Sequence, residues 1–94
     1  MSRTHVTPRA SRDLADIAVW TLLRWGASQM EAYLSGLEDR FRWLADHPQS
    51  GRPRDDVAYG YRSFPEGRHL VFYTIVSDGI AIIGVVHQSI GNPP

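Results

Sequence analysis

His69-Leu70-Val71-Phe72-Tyr73-Thr74-Ile75-Val76, then Ser77-Asp78-Gly79, then Ile80-Ala81-Ile82-Ile83-Gly84-Val85-Val86-His87, is the stretch on which the fold turns. Two runs rich in β-branched and other apolar residues flank an Asp-Gly pair, a strong short-range hairpin signal. Upstream, residues 57–64 are Tyr-rich and strand-like, and Pro65-Glu66-Gly67 predicts the turn that joins them to the first run. Three strands and two tight turns predict an antiparallel meander. Its two central strands are apolar on both faces: Leu70, Phe72 and Thr74 alternate with Val71, Tyr73 and Ile75. A helical layer covers one face. The other needs cover from a partner or stays as an exposed apolar patch.

The first half has a different period. Thr7-Pro8 predicts a helix start, with Thr7 as N-cap and Pro8 at a position whose missing N–H costs nothing. Ala10, Leu14, Ile17, Thr21 and Trp25 then recur on one helical face, and Gly26 closes the helix. Ser28-Gln29-Met30-Glu31 reads as a capping box that opens a second helix, with Met30, Leu34, Leu37, Phe41 and Leu44 inward. Pro48, Gly51 and Pro53 stop it. So short a joint predicts an antiparallel hairpin, and a short strand over Arg3 to Val6 can precede it. The expected fold is α+β in the order β-α-α-β-β-β: a helical hairpin packed on a small antiparallel sheet, one domain over residues 1–94.

Composition narrows the chemistry. The chain has 94 residues, 43% apolar and 21% charged, which fits one globular domain and excludes a disordered chain. A domain this size buries only roughly 60–65% of its unfolded surface, so its stability margin is thin. With no cysteine, a disulfide scaffold, a thiolate nucleophile and a Cys-type zinc site are all excluded. All ten basic residues are arginine, so lysine-base and Schiff-base chemistry are excluded too. Ten acids cancel them, which argues against a general polyanion binder. No apolar run approaches the ~18 residues of a membrane span, and the first residues lack the apolar core of a signal peptide. A cytoplasmic protein is expected.

Some residues are singled out by type and place. Arg62 offers a bidentate fork to a carboxylate, or a surface ion pair to Asp55 or Asp56. His69 and Tyr73 share a strand face, and His87 ends the strand expected to pair with theirs, so a His-Tyr-His cluster is expected. It lacks the nucleophile and carboxylate of a catalytic centre and the ligand number of a metal site. Arg52, Arg54 and Arg68 can rim a groove with Arg62, or simply face solvent. Trp43, and the i, i+4 pair Val19 and Leu23, lie opposite the buried helix faces and read as an interface, unless the sheet wraps round to bury them.

The ordered set Thr7-Pro8-Arg9-Ala10, Asp13-Leu14-Ala15-Asp16-Ile17, Arg24-Trp25-Gly26, Gln29, Tyr33, Leu44-Ala45-Asp46-His47-Pro48, Gly51-Arg52, Gly60-Tyr61-Arg62, Gly67-Arg68-His69, Phe72-Tyr73 and Val86-His87-Gln88 resembles the ParE toxins of the RelE/ParE superfamily. The resemblance runs from about Thr7 to Ile90. It implies a bacterial type II toxin that causes growth arrest by binding DNA gyrase and is neutralised by a ParD-like antitoxin in a hetero-oligomer. Under that resemblance Arg62, Arg68, His69, Tyr73 and His87 are expected to contact target or antitoxin, and Val19, Leu23 and Trp43 to meet the antitoxin. No cofactor, metal, membrane or sequence-specific nucleic acid is implied. RelE-like relatives share the fold and cleave mRNA on the ribosome, which is the rival reading. This chain, however, has no lysine, no arginine after Arg68 and no tyrosine after Tyr73. Where ParE-like sequences run Arg-x-Leu-His-x-x-Met-Asp, it has Gly84 in place of the arginine and Ile90-Gly91 in place of Met-Asp. That departure opens a third reading, a degenerate toxin that retains only antitoxin binding.

Overall fold

The computed structural model describes residues 2–88. The expected readings at Ile90-Gly91 and over the tail Gly91-Asn92-Pro93-Pro94 lie outside the described residues. The elements are β1 (Arg3–Val6), α1 (Pro8–Trp25), α2 (Ala27–Asp46), a 3-10 turn (Pro48–Ser50), β2 (Arg52–Pro53), β3 (Arg62–Glu66), β4 (His69–Val76) and β5 (Gly79–His87). Together they form the expected α+β fold, two helices on a five-stranded sheet in the order β1-β5-β4-β3-β2. The sheet is mixed rather than wholly antiparallel: β1 runs parallel to β5, with Arg3 opposite Gly79 and Val6 opposite Ile82.

Thr7 joins the two layers. Its side chain accepts from the Ala10 N–H at 3.2 Å, the expected N-cap, and its hydroxyl donates to the Ile82 carbonyl at 2.8 Å. The second cap differs from expectation. Gly26, at φ +91° and ψ 173°, is at once the C-cap of α1 and the N-cap of α2, and Ser28 already lies inside the helix as an exposed residue. No side chain caps α2; the Gly26 carbonyl instead takes the Met30 N–H at 3.0 Å. A backbone that only glycine adopts readily lets two helices share one residue, which leaves no room for a capping box.

The helices close the core against β4 and β5. Ala10 and Ile17 of α1 and Leu37, Phe41, Leu44 and Ala45 of α2 pack with Val71, Tyr73, Ile80, Ile82 and Val85. Met30 and Leu34 are half-buried, and Trp25 is exposed despite its place in the apolar period.

The segment before β3 corrects a second expectation. Residues 54–61 form a loop, not a strand, and pairing begins at Arg62. Loop bonds run from Arg54 N to the Tyr61 carbonyl (2.7 Å), from Val57 N to the Arg54 carbonyl (2.9 Å) and from Tyr61 N to the Ala58 carbonyl (3.1 Å). Pro65 and Glu66 belong to β3 rather than to the turn. They lie beyond the two residues that β2 pairs, on an open edge where a missing donor is tolerated. The loop covers part of the second sheet face. Val57 and Tyr61 lie beside Phe72, and the Arg54 guanidinium sits 5.2 Å from the Phe72 ring.

Candidate functional site

The second half of α1 exposes several large apolar side chains, some on its outer face and some beside its buried stripe. Val19, Trp20, Leu22, Leu23 and Trp25 are all exposed, Leu23 at 81%. One helix rarely leaves so many large apolar side chains in water unless something covers them. Guanidiniums lie over two of these rings, Arg24 5.5 Å from the Trp20 ring and Arg68 5.9 Å from the Trp25 ring. Beside the helix opens a cleft of about 400 Å³, lined by Trp20, Thr21, Trp25, Gln29, Tyr33, Arg68 and His69. A second cleft of about 490 Å³ shares Trp20, Arg68 and His69 and runs along α1 to Val85, Val86 and His87.

A clasp forms the floor where the two clefts meet. The Tyr33 hydroxyl lies 2.5 Å from His69 Nδ1 and 3.3 Å from the Glu66 carbonyl, and it accepts the Arg68 N–H at 3.0 Å. It thereby ties α2 to the β3–β4 turn and fixes Arg68 and His69 in the cleft wall. Because β4 and β5 are in register at this point, the His87 ring meets the His69 ring edge-on, 5.5 Å away. Burial, and then His87, hold the His69 pKa below the ordinary histidine value. Burial raises the Tyr33 pKa. Neutral His69 can accept the Tyr33 O–H proton at Nδ1, and protonated His69 cannot. The arrangement therefore suits a neutral structural clasp rather than an acid–base pair.

The expected site residues part company here. Arg68, His69 and His87 come together. Tyr73 does not join them: it is 0% exposed, and its hydroxyl donates to the Pro48 carbonyl and accepts the Gly51 N–H, each at 2.8 Å. Four residues along a strand keep a side chain on the same face but carry it ~13 Å further on, so the His-Tyr-His cluster gives way to Tyr33, His69 and His87. Arg62 pairs with neither Asp55 nor Asp56. It donates to the Gly51 carbonyl (2.7 Å), the Gln49 carbonyl (3.3 Å) and Gln49 Oε1 (2.8 Å). Arg62 and Tyr73 are cross-strand partners that clamp the same turn.

Nor do the arginines form one rim. Arg54 is tied to Asp56 and Phe72, and Arg62 and Arg68 stand near opposite ends of β3. Val19 and Leu23 are exposed as expected. Trp43 is only 37% exposed: it stacks on His47 with centroids 4.7 Å apart and meets Phe64 of β3 at 5.4 Å, so the sheet edge reaches round to it.

Sequence reasoning missed Trp20, Trp25 and Tyr33. The available signal for Trp20 was its place one turn before Leu23. Trp25 sits on the apolar stripe, but the neighbour seen over its ring is Arg68. Tyr33 lies one turn from Gln29, which lines the same cleft; both stand in the ordered set that carries the family resemblance, which assigned neither a role.

The family described as "ParE toxin of type II toxin-antitoxin system, parDE" matches residues 5–90. The chain is 37% identical over 89 residues to Toxin ParE1 of Caulobacter vibrioides, covering 95% of this chain and 92% of that protein. It is 36% identical over 88 residues to Toxin ParE1 of Mycobacterium tuberculosis, covering 93% and 90%. Its fold matches a chain of the chromosomal ParDE TA system from P. aeruginosa with a TM-score of 0.77 at 16% identity, over 93% of this chain and 96% of that one. The chain belongs to the ParE toxin family of type II toxin–antitoxin systems.

Proposed function

We propose that this chain arrests bacterial growth by binding DNA gyrase in the cytoplasm, without catalysis, and that a ParD-like antitoxin neutralises it by covering the outer face of α1. The observation that carries the antitoxin reading is the α1 strip of Val19, Trp20, Leu22, Leu23 and Trp25, too large and too apolar to suit open water. Arg24 and Arg68 at its border give a partner's carboxylates two guanidiniums to meet.

Binding is favoured over RNA cleavage by what the clefts contain. Cleavage needs activation of a 2′-hydroxyl, a proton for the leaving oxygen and charge stabilisation at the phosphorane. Here the Tyr33 oxygen already accepts Arg68 N–H, burial moves Tyr33 away from ionisation, and His69 is held neutral against it. Among the described residues no helix is long and apolar enough to cross a membrane. The test pairs a gyrase supercoiling assay with primer extension on ribosome-bound message. Inhibited supercoiling with intact message is expected. Message cleavage that disappears with His87→Ala would establish the RelE-like alternative. Silence in both assays with antitoxin binding retained would establish a degenerate toxin.

A further inference from the structure

We propose that the outer edge of β1 is where two copies of this chain pair, each β1 running antiparallel to the other so that two five-stranded sheets join into one of ten strands. β1 is an outer strand, and β5 lies along one side of it only. The Arg3 N–H donates to the Asp78 carbonyl at 2.8 Å and the Thr7 N–H to the Ile82 carbonyl at 3.2 Å. Backbone groups alternate along a strand, so those of Arg3, His5 and Thr7 point to β5, and the N–H and C=O of Thr4 and Val6 point outward. Neither a bulge nor a proline, two devices that blunt such an edge, interrupts the strand. The helical layer stops short of it as well. Thr4 and Val6 lie on the helix-facing side, in a groove with Leu14, Glu38, Phe41 and Arg42, yet Val6 is 44% exposed.

The symmetry of this edge selects a second copy as its occupant. With the two His5 residues opposite one another at a two-fold axis, Thr4 of each chain faces Val6 of the other. Each of those two pairs then exchanges both of its backbone bonds, so all the outward groups of Thr4 and Val6 are used. Charge follows the same axis. Glu38 and Arg42 stand one turn apart on the α2 rim of the groove, and both are exposed. The axis sets α2 against its counterpart in the opposite direction, which brings Glu38 of each chain toward Arg42 of the other. Within the chain Arg42 pairs with Asp39, and Glu38 has no ion-pair partner among the described residues. A strand from an unrelated protein could meet the backbone groups, but the reciprocal charges suit a second copy.

The exposed α1 side chains from Val19 to Trp25 line none of this groove. The pairing therefore leaves the proposed antitoxin seat open and does not rest on it.

Sedimentation equilibrium of the free full chain over a range of concentrations reads the pairing, with circular dichroism to show that each variant is folded. Wild type is expected to pass reversibly from monomer to dimer, and its Thr4 and Val6 amides to exchange more slowly as it does. Val6→Pro deletes an outward N–H that makes no bond inside the chain, and should weaken the dimer about tenfold or more with the fold kept. Arg42→Glu should weaken it about tenfold, and combining it with Glu38→Arg should restore it, because the exchange returns opposite charges to both contacts. A wild-type chain that stays monomeric at every concentration would overturn the proposal; β1 amides protected only with antitoxin bound would then give the edge to the antitoxin. A dimer that survives Val6→Pro in a folded protein would also overturn it. Should Val6→Pro fail to fold, the charge exchange decides: no effect of Arg42→Glu, or no recovery in the double variant, overturns the pairing.

Discussion

Tyr73 and Gly51 are fitted to one another: the Gly51 N–H donates to the Tyr73 hydroxyl at 2.8 Å, and a Cβ at position 51 would overlap that phenol ring. The phenol also takes Pro48, so one buried side chain of β4 fixes the exit of α2 and the entry to β2. Both residues are buried, and the backbone at Gly51 is ordinary extended chain, so the demand there is for space.

That relationship predicts coupled stabilities. Tyr73→Phe leaves the Gly51 donor unpaired and should cost about 1–3 kcal/mol. Gly51→Ala should cost about 1–3 kcal/mol or more through overlap. The double variant should lose somewhat less than the sum, because removing the hydroxyl relieves the closest overlap while ring carbons Cε1 and Cζ still press on the new methyl. Urea unfolding of the four proteins checks it; strict additivity would mean that the two groups do not meet.

The interhelical joint makes a second prediction. Gly26 holds a conformation that costs other residues about 1–3 kcal/mol, so Gly26→Ala should be destabilising by that order. Ser28→Ala should fall within about 0.5 kcal/mol of wild type, since the hydroxyl caps nothing. A larger loss at Ser28 than at Gly26 would restore the capping box.

The clasp predicts a pH dependence with a definite sign. The pKa of His69 in the folded chain is depressed below the ordinary value of about 6.5. The unfolded chain therefore binds the proton first. The stability linked to His69 is complete above pH ~6.5 and is lost as pH falls toward its folded pKa. The groups facing His69 are Tyr33 from α2, Arg68 from the turn, His87 from β5, and Asp13, Asp16 and Arg9 along the α1 wall of the shared cleft. His69→Gln should flatten the decline of stability with acid below pH ~6.5, followed by denaturation at a series of pH values. An unchanged slope would place the titration elsewhere.

How much of this was legible in the sequence follows from the range of each interaction. The Asp78-Gly79 turn, the runs His69–Val76 and Ile80–His87, and the Thr7-Pro8 start are local signals, and they appear where expected. The local pattern at Gly26 marks a helix stop. That Gly26 also starts the next helix depends on how α2 docks, which no local pattern encodes. Residues 57–64 carry strand-forming side chains, yet Arg54 and Asp55 fold 54–61 into a loop through bonds spanning up to seven residues.

The candidate site divides in the same way. Val19 and Leu23 were visible because helical period alone puts them opposite the core. The partners of Arg62, Tyr73 and His69 lie 11 to 36 residues away in sequence, so their roles emerge only when α2, its exit turn and the sheet meet.

The claim at the centre of this account is that the outer face of α1 is the antitoxin's seat. Leu23→Asp should leave the melting temperature close to wild type, because the side chain is already in water, and should weaken antitoxin binding about tenfold or more. The most direct measurement is hydrogen exchange of the wild-type chain, free and with its antitoxin. The account predicts strong new protection along α1, centred on Val19 to Trp25. Unchanged exchange throughout α1, in a sample where the complex is fully formed, would contradict it.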